Sequence, residues 1–452
     1  MRPKERYRKL KEHLVEENPL LVEVIDDYRE LDRVAWDVGF LEPAKTYTES
    51  ISWWPLISVL GTFSAGKSSF INSLLGKRVQ DTGNQAVDDK FTVICYSKKD
   101  EPTTLPGVAL DADPRFPFYN ISKEIEKIEP NANINRYLQL KAVKSERLKG
   151  KILIDSPGFD ADTQRDATLR ITRHIIDLSD LVLIFFDARH PEPGAMRDTL
   201  DHLVEVAKSH ADSDKVLYIL NQIDTCAKED NLEEIIGAWQ RALSQKGIVS
   251  GKFYAIYNEE LAQIPDAEQQ KRLKRKKDED LAQILEKMEK VQIDRAYRIV
   301  KNVEYRAKEI LGLLPKLSAK LGSFRNRLLF ADILLLGLLG GGAFYLAERF
   351  GDYAPAIWGG AALLFVLLHF KLKNLIASMM AKRIDEVPLR KAFEKQTRWY
   401  RPYLVAGRIK KRTTLRLEEL IERSKSFIQK LNDQYIALKK ERSFNGGSEE
   451  LE

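Results

Sequence analysis

Apolar positions recur at helical spacing near both ends of the chain and form short strand-like runs between them. Residues 5–41 are charged and carry apolar side chains at helical spacing, with a break at Asn18-Pro19, which predicts one or two amphipathic helices. Charged helical patterns return over residues 265–327 and 373–442. Between about residues 50 and 260, helical segments alternate with apolar runs typical of buried strands, namely Leu56–Leu60, Lys151–Ile154, Leu181–Asp187, Lys215–Leu220 and Phe253–Tyr257. The pattern therefore predicts a doubly wound α/β domain flanked by long helices.

Two apolar stretches lie between the last two helical regions. Leu328–Leu346 is about 19 residues long and reaches about 28 Å as a helix, close to the hydrocarbon thickness of a bilayer. Ala354–Phe370, of about 17 residues, is at the short end of the spanning range. Basic residues flank both outer ends, and the connection Glu348–Tyr353 leans acidic, which predicts a hairpin with both outer ends in the cytoplasm.

Three interpretations of this hairpin remain open: two spans of a membrane, a wedge in one leaflet, or a buried core hairpin of a soluble domain. Gly337 and Gly341 form a small-xxx-small pair that suits close packing of the two helices. We expect Asp332, one turn inside the first stretch, to reach the interface or to pair with Arg325 or Arg327.

A glycine-rich loop with chemistry of its own follows the first predicted strand. It has the spacing G-x-x-x-x-G-K-S and precedes a predicted helix, so backbone N–H groups of the loop and the helix N-terminus can bind phosphate oxygens. Lys67 is placed to contact the β- and γ-phosphates and Ser68 to ligate Mg²⁺. The predicted nucleotide-binding residues of the loop are Gly61, Thr62, Phe63, Ser64, Ala65, Gly66, Lys67, Ser68 and Ser69.

Two later strands end in polar residues that extend this site. Asp155 is placed to hold the Mg²⁺ shell, and the Gly158 N–H to meet a γ-phosphate. After the next strand but one, Asp224 can accept hydrogen bonds from the edge of guanine, and Asn221, next to Gln222, can tie its loop to the phosphate loop. Asp and Asn also end strands as turn formers, so the order and spacing of these residues carry the prediction.

Composition bears on the partners of the protein and on its cellular compartment. The 452 residues include 73 Lys+Arg and 67 Asp+Glu, and the resulting charge of +6 is too small to indicate a nucleic-acid partner. Two cysteines predict no disulfide framework and a reducing compartment, and Met1–Arg6 has no apolar signal core. The basic run Lys271–Lys277 is either a solvated helix face or a contact for anionic lipid.

The predicted plan is N-terminal stalk helices at 1–48, an α/β domain at 49–264, a helical stalk at 265–327, the hairpin at 328–372, returning helices at 373–442 and a disordered tail at 443–452.

These motifs resemble those of the dynamin superfamily. The Phe-Ser-Ala before Gly66 is similar to the phosphate loop of bacterial dynamin-like proteins and mitofusins, while Pro106–Phe118 and Phe186–Arg189 resemble segments of the Eps15-homology-domain ATPases. The three motifs then look like the G1, G3 and G4 elements of a P-loop G domain. The resemblance implies a Mg²⁺-dependent GTPase, with ATP as the alternative substrate, that pairs through its G domain into a homodimer or higher homo-oligomer and acts on a lipid bilayer.

Three departures from the family pattern bear on catalysis. The segment Ala86–Asp89 stands where the related ATPases have the threonine that senses Mg²⁺ and γ-phosphate, so Asp88 is the candidate replacement as a Mg²⁺ ligand. Gln222 replaces the usual lysine of the base-binding motif. Phe63 and Phe159 offer no amide to orient water, so hydrolysis must use backbone groups, a cation or a dimer partner.

The candidate catalytic residues are therefore Ser64, Lys67 and Asp88, and the candidate metal ligands are Ser68, Asp155 and Asp88. The predicted function is a dynamin-like GTPase, anchored in the inner or plasma membrane of a bacterium with its G domain and both termini cytoplasmic, that tubulates, divides, fuses or tethers membranes. The alternative is a membrane-docked switch or scaffold that hydrolyses nucleotide slowly, with either GTP or ATP as its substrate.

Overall fold

The computed structural model describes residues 3–62, 64–82, 90–111, 133–158, 165–190, 215–248, 251–405 and 411–445, with residues 113, 116, 118, 121, 122 and 125. The chain forms two compact units. One contains Met1–Lys9, Leu21–Ser50 and Tyr297–Glu452, and the other contains Leu10–Leu20 and Ile51–Ala296. We call them the helical unit and the sheet unit.

An eight-stranded sheet forms the centre of the sheet unit, in the order β3-β4-β2-β5-β1-β6-β7-β8. Strands β5, β1, β6, β7 and β8 are parallel, whereas β2 pairs antiparallel with β5 and β3 pairs antiparallel with β4. The strands are β1 Leu56–Gly61, β2 Phe91–Tyr96, β3 Thr103–Pro106, β4 Leu138–Val143, β5 Ile152–Asp155, β6 Leu181–Asp187, β7 Val216–Asn221 and β8 Lys252–Ala255. The parallel half contains all five strands that the sequence predicts individually, whereas β2, β3 and β4 were not among them.

Apolar side chains on both faces of the sheet confirm the doubly wound arrangement of the parallel half. Along β6, Val182, Ile184 and Phe186 belong to one buried cluster, and Leu181, Leu183 and Phe185 belong to the other. Alternate residues of a strand point to opposite faces, so a strand that is apolar throughout needs cover on both sides. The helices of this unit are α3 Lys67–Leu75, α4 Val108–Asp111, α5 Arg165–Leu178, α6 Leu232–Gln245 and the first part of α7, which spans Ala267–Arg349.

Long helices build the helical unit. They are α2 Val22–Val38, the later part of α7, α8 Ala354–Ala381, α9 Val387–Gln396 and α10 Lys411–Asn445, with the start of α1 Pro3–Glu17, whose residues from Leu10 onward belong to the sheet unit. A short 3₁₀ turn at Pro19–Leu21 separates α1 from α2, which confirms the predicted break at Asn18-Pro19. The Tyr28 hydroxyl donates to Ile299 O at 2.7 Å, and Ser424 Oγ donates to Val300 O at 3.0 Å, so α2 and α10 both bond to α7.

Helix α7 is 83 residues long and contains Pro315 in its interior. It is not interrupted at position 327, where the sequence predicted a change from the helical stalk to the hairpin. Helix α10 runs to Asn445, three residues into the stretch predicted to be a disordered tail. The remaining residues of that stretch lie outside the described part of the chain.

The hairpin exposes its apolar side chains. Two helical segments, one within Ala267–Arg349 and one at Gly351–Ala381, are long and apolar enough to cross a membrane. No residue of the most apolar stretch of the second segment is buried, and Leu338 is 77% exposed on the first. The hairpin is therefore not the buried core hairpin that the sequence left open.

The contacts of the hairpin contradict the close approach expected at its glycines and one of the two alternatives for Asp332. A Cβ added at Gly337 or Gly341 would meet nothing within 4 Å, so these glycines do not lie at the contact between α7 and α8. Asp332 pairs with neither Arg325 nor Arg327, because its carboxylate oxygens lie 2.9 and 3.0 Å from Nδ1 of His369 on the facing helix.

The basic run at the start of α7 lies against acidic side chains of its own unit. Lys277 Nζ contacts a Glu259 carboxylate oxygen at 2.7 Å, and Lys274 bonds the same carboxylate. Lys276 contacts Asp280 at 2.9 Å, and Arg272 bonds Asp230. This charge compensation favours the solvated helix face over a lipid contact.

Candidate nucleotide-binding site

The loop between β1 and α3 is fixed by the strand and the helix on either side of it. Every residue of β1 is buried, and a Cβ at Gly61 would lie 2.6 Å from Phe185 O of β6, so only glycine fits the strand end. Helix α3 begins at Lys67, directly after Gly66 with its φ of 82°. Ser64, in the middle of the loop, has a φ of 61°. The loop has the left-handed turns that a helix N-terminus needs in order to present successive N–H groups to a phosphate.

Lys67 lies inside the loop with its side chain buried. Its Nζ donates to Gly61 O and Thr62 O, each at 3.0 Å. These bonds hold the ammonium group against the backbone of the loop. A concentrated positive potential at this point suits the β- and γ-phosphates of a nucleotide.

Asn221 joins the phosphate loop to the loop after β7, as the sequence predicted. Its Nδ2 donates to Ala65 O at 2.8 Å. A Cβ at Gly66 would lie 2.2 Å from this Nδ2, so the second glycine of the loop is required by the contact. The neighbouring Gln222, at a φ of 66°, donates from Nε2 to Ser64 O at 2.5 Å. Both amides therefore hold the phosphate loop against the loop that carries Asp224.

Asp224 lies in a 3₁₀ turn, Ile223–Lys228, directly after β7. Burial raises the pKa of its carboxyl, and the guanidinium of Arg189 opposes that rise. Arg189 is fixed by its bonds to Asp187, whose Oδ1 and Oδ2 each lie 3.0 Å from Nε. Asp187 in turn pairs with Asn221 in the register of β6 and β7. The Asp187 carboxylate and the Arg189 guanidinium therefore lie at the end of β6, next to the end of β7 from which Asn221 contacts the phosphate loop.

Ser68 and Asp155 come together at the other side of the loop. Ser68 Oγ lies 3.4 Å from Asp155 Oδ2, and Asp155 is buried at the end of β5. A hydroxyl and a carboxylate, together with phosphate oxygens and water, make the hard oxygen donor set that Mg²⁺ prefers. The two residues therefore fit the metal predicted from the sequence. Gly158 follows β5 by three residues, and its N–H has no hydrogen bond within the described part of the chain.

Three residues that the sequence did not single out support Asp155. Gln80 is buried, and its Nε2 donates to Asp155 Oδ2 at 2.7 Å. Lys141 Nζ donates to Gln80 Oε1 at 2.6 Å. Asn72 of α3 holds the backbone of this segment, because its Oδ1 accepts from the N–H groups of Val79 and Gln80 at 2.8 and 2.9 Å. Such outer contacts orient metal-binding carboxylates and tune their affinity.

A cavity of about 170 Å³ borders the site within the sheet unit. Ser69 at the start of α3, Asn221 after β7, and Tyr257 and Asn258 after β8 contribute to its walls, and Leu285 of α7 closes one side. The site therefore has a partly apolar recess beside the loops for phosphate and base. Phe63, Asp88 and Phe159 lie outside the described residues.

Comparison with known proteins places this site in a family. Residues 57–223 match the profile of the Dynamin family. Among curated proteins, EH domain-containing protein 2 of Rattus norvegicus is 26% identical over 200 residues, and EH domain-containing protein 1 of Bos taurus is 24% identical over 201 residues. Both alignments cover 42% of this chain and 34% of the relative, so the chain matches about a third of the length of these proteins.

A solved structure of an oligomerised bacterial dynamin pair, described with long-range sensing and tethering of membranes, aligns with 92% of this chain and 77% of its own. The sequence identity is 17% and the TM-score is 0.37, too low for any inference about this chain. The assignment depends instead on the matched profile, which covers the phosphate loop, Asp155 and Asn221, and on the similarity to the curated relatives. Residues 57–223 of the chain therefore form a domain of the Dynamin family.

Proposed function

We propose that this protein is a membrane-anchored, dynamin-like GTPase that couples nucleotide-dependent pairing of its G domains to the remodelling or tethering of a bilayer. One observation carries the proposal: a nucleotide site tied together by Asn221 and a solvent-exposed apolar hairpin occur in the same chain. A soluble nucleotide switch has no use for two helices of this length whose apolar side chains face outward.

The residues of the site have distinct roles in this proposal. Backbone N–H groups from Gly61 to Ser69 and the ammonium of Lys67 bind the phosphates, while Ser68 and Asp155 hold Mg²⁺. The metal, when bound, neutralises charge on the β- and γ-phosphates. Asp224 binds the base, with Asn221 and Gln222 holding its loop in place. Ser64 lies on the exposed side of the phosphate loop, where a second G domain can approach, and Asp88 completes the metal shell.

The membrane role follows from charge and length. Arg325 and Arg327 precede the hairpin, and Lys371, Lys382 and Arg383 follow it, so both outer ends belong on the cytoplasmic side. The G domain and both termini then share that side. Nucleotide binding and G-domain pairing supply free energy that favours one arrangement of the stalk helices over another, and assemblies of such stalks act on the bilayer.

Replacing Asp224 by asparagine is expected to weaken GTP binding by about 100-fold and ATP binding by no more than about twofold. The carboxylate accepts two hydrogen bonds from the N1–H and 2-amino groups of guanine, and adenine has neither donor. Xanthosine triphosphate should recover much of the affinity, because its 2-oxo group accepts a bond from the amide that the substitution introduces. Titration of fluorescent nucleotides measures all three affinities.

Glu233→Gln is the control for this substitution, since it neutralises an exposed acid elsewhere in the sheet unit, on α6, and should leave the affinity for GTP unchanged. Equal losses for GTP and ATP in Asp224→Asn, with no recovery by the xanthine nucleotide, would contradict guanine recognition. Such a result would support ATP, the alternative substrate, as the nucleotide of this protein.

Liposomes are expected to raise the rate of GTP turnover at least about tenfold and to become tubulated or clustered when GTP is present. The physical reason is that a bilayer aligns the anchored chains and brings their G domains together at high effective concentration. Phosphate release and negative-stain microscopy measure the two effects. Slow turnover that is indifferent to liposomes, together with unchanged vesicles, would instead support the membrane-docked switch.

A further inference from the structure

An open groove of about 590 Å³ lies in the helical unit, between the C-terminal end of α8 and helix α9. Basic side chains dominate its walls. Lys382 comes from the end of α8, Arg390 and Lys391 from α9, and Arg398 from the turn after α9. Glu394 is the acidic residue in the lining. The groove is therefore a concave, positively charged surface with hydrogen-bond donors on two sides.

Much of this charge has no acidic partner. Among the described residues, neither Lys382 nor Arg390 forms an ion pair. Lys391 differs, because its Nζ lies 2.9 Å from Glu42 Oε1. Lys382 and Arg390 are thus the cations most available to an anion that enters the groove.

The turn that closes the groove presents aromatic side chains from a rigid base. Lys373 is 2% exposed, and its Nζ donates to Trp399 O at 2.8 Å and to Arg401 O at 2.7 Å. Thr397 Oγ1 donates to Phe393 O at 2.9 Å and ends α9. Trp399 is nevertheless 63% exposed, next to an exposed Tyr400. Exposed Trp and Tyr beside cationic residues are typical of the membrane–water interface.

The length of α8 places the groove at the depth of lipid headgroups. The helix has 28 residues and is about 42 Å long, whereas the hydrocarbon core is about 30 Å thick. If the apolar stretch begins at Ala354, about 20 residues cross the hydrocarbon, and the helix leaves it near Lys373. The groove begins at Asn374, immediately beyond that point.

We propose that this groove binds the phosphate headgroup of an anionic phospholipid, with Lys382 and Arg390 contacting the phosphate and Trp399 lying against the glycerol region. The inference deepens the proposed membrane function and rests on it, because it assumes that α8 enters the bilayer. It adds a specific lipid site to an anchor that would otherwise need only apolar contacts.

Binding of a short-chain fluorescent phosphatidylglycerol to the purified full-length protein in neutral detergent micelles tests the proposal. Lys382→Glu/Arg390→Glu should weaken binding at least about tenfold, since each cation near a lipid surface contributes to affinity and the reversal adds repulsion. Lys301→Glu/Lys425→Glu, with the same change in net charge on α7 and α10, should stay within about twofold of wild type. Glu394→Gln should tighten binding, by about threefold.

Several outcomes would overturn the lipid site. Equal binding of a matched phosphatidylcholine probe by wild type would show that the net negative charge of the lipid plays no part. Equal losses in the two double variants would reduce the effect to net charge. Full competition by glycerol phosphate at the concentration of the lipid probe would make the occupant a free phosphate. Trp399→Phe should keep most of the affinity that Trp399→Ala loses, and an intact α-helical spectrum shows that each variant is folded.

The lipid site and the membrane anchor can fail separately. Retention of the protein in alkaline carbonate tests the anchor and does not depend on headgroup charge. A chain that stays in the membrane but shows no preference for the anionic probe loses only the groove. A chain that leaves the membrane in carbonate loses the proposed function, and the depth argument for the groove with it.

Discussion

Lys67→Ala should lower nucleotide affinity by at least about 100-fold and abolish turnover. The ammonium group of Lys67 is held inside the phosphate loop by Gly61 O and Thr62 O, and no other side chain of the described loop carries a positive charge. Its removal leaves the charge of the β- and γ-phosphates opposed only by backbone N–H groups and Mg²⁺. Each charge-assisted hydrogen bond contributes about 1.5–3 kcal/mol, so the loss of two accounts for the expected change.

Two further variants separate charge from folding in this experiment. Lys67→Met keeps most of the buried aliphatic stem and should bind nucleotide as poorly as Lys67→Ala. Lys99→Ala removes an exposed lysine from the same unit and should bind like wild type. A fluorescent nucleotide titration measures all of these affinities. Wild-type affinity in Lys67→Met would refute the phosphate site, because the ammonium would then have no role.

The parts of this site that follow from sequence are local. A strand, a glycine turn and a helix start at Lys67 are neighbours along the chain, so their chemistry and their geometry are encoded in one continuous segment, Leu56–Lys67. The contact of Asn221 was also predictable, because parallel strands end at the same edge of a sheet and β6 lies between β1 and β7. The predicted tie from Asn221 to the phosphate loop is present at Ala65 O.

The support of Asp155 could not be predicted, because it depends on contacts between distant positions. Gln80 is 75 positions from Asp155, and Lys141 is 61 positions from Gln80. They meet only because β2 and β4 add a second half to the sheet beyond β5. A glutamine and a lysine without periodicity give no signal in a single sequence. The role of the buried Gln80 amide can be recognised only from a structure, which shows its contacts with Asp155 and Lys141.

The partner of Asp332 could not be predicted for the same reason. Arg325 and Arg327 are its neighbours along one helix, whereas His369, 37 positions away, faces it across the hairpin. A buried carboxylate finds a partner on whichever helix brings a donor closest, and the packing of two apolar helices cannot be read from their composition. Likewise, the glycines at 337 and 341 permit a close approach without requiring one, and in this chain they face open space.

The hairpin is expected to hold the protein in the bilayer through high salt and alkaline carbonate, treatments that release proteins held by charge. Leu328–Leu346 and Ala354–Phe370 present exposed side chains such as Ile333, Leu338 and Leu363 to the surroundings. Two helices of this length transfer far more apolar area into lipid than a basic patch can match by screened electrostatic attraction. Sedimentation of membranes after each wash, followed by detection of the chain, measures retention.

Leu336→Arg tests the membrane anchor by its effect on the free energy of insertion of the first apolar stretch. This leucine is exposed on α7 and lies near the middle of the first apolar stretch, so an arginine there should cost about 2.5–3.5 kcal/mol of insertion free energy. A glycosylation-based insertion assay on the full chain reports that change as a fall of about 100-fold in the ratio of inserted to non-inserted product. Leu261→Arg is the matched control, because Leu261 is equally exposed but lies in the sheet unit, and it should leave insertion unchanged.

The basic run Lys271–Lys277 on α7 supplies a control in which charge is reversed outside the hairpin. Lys271→Glu/Lys274→Glu should leave retention unchanged, since Lys274 is already bonded to Glu259 and the hairpin supplies the anchoring area. Release by salt alone would make the protein peripheral and remove the anchor from the proposal. Asp352→Cys, in a chain whose Cys95 and Cys226 are replaced, then distinguishes the two integral arrangements. Labelling of that cysteine only from the far side of the membrane requires two spans, whereas labelling from the cytoplasmic side requires a wedge confined to one leaflet.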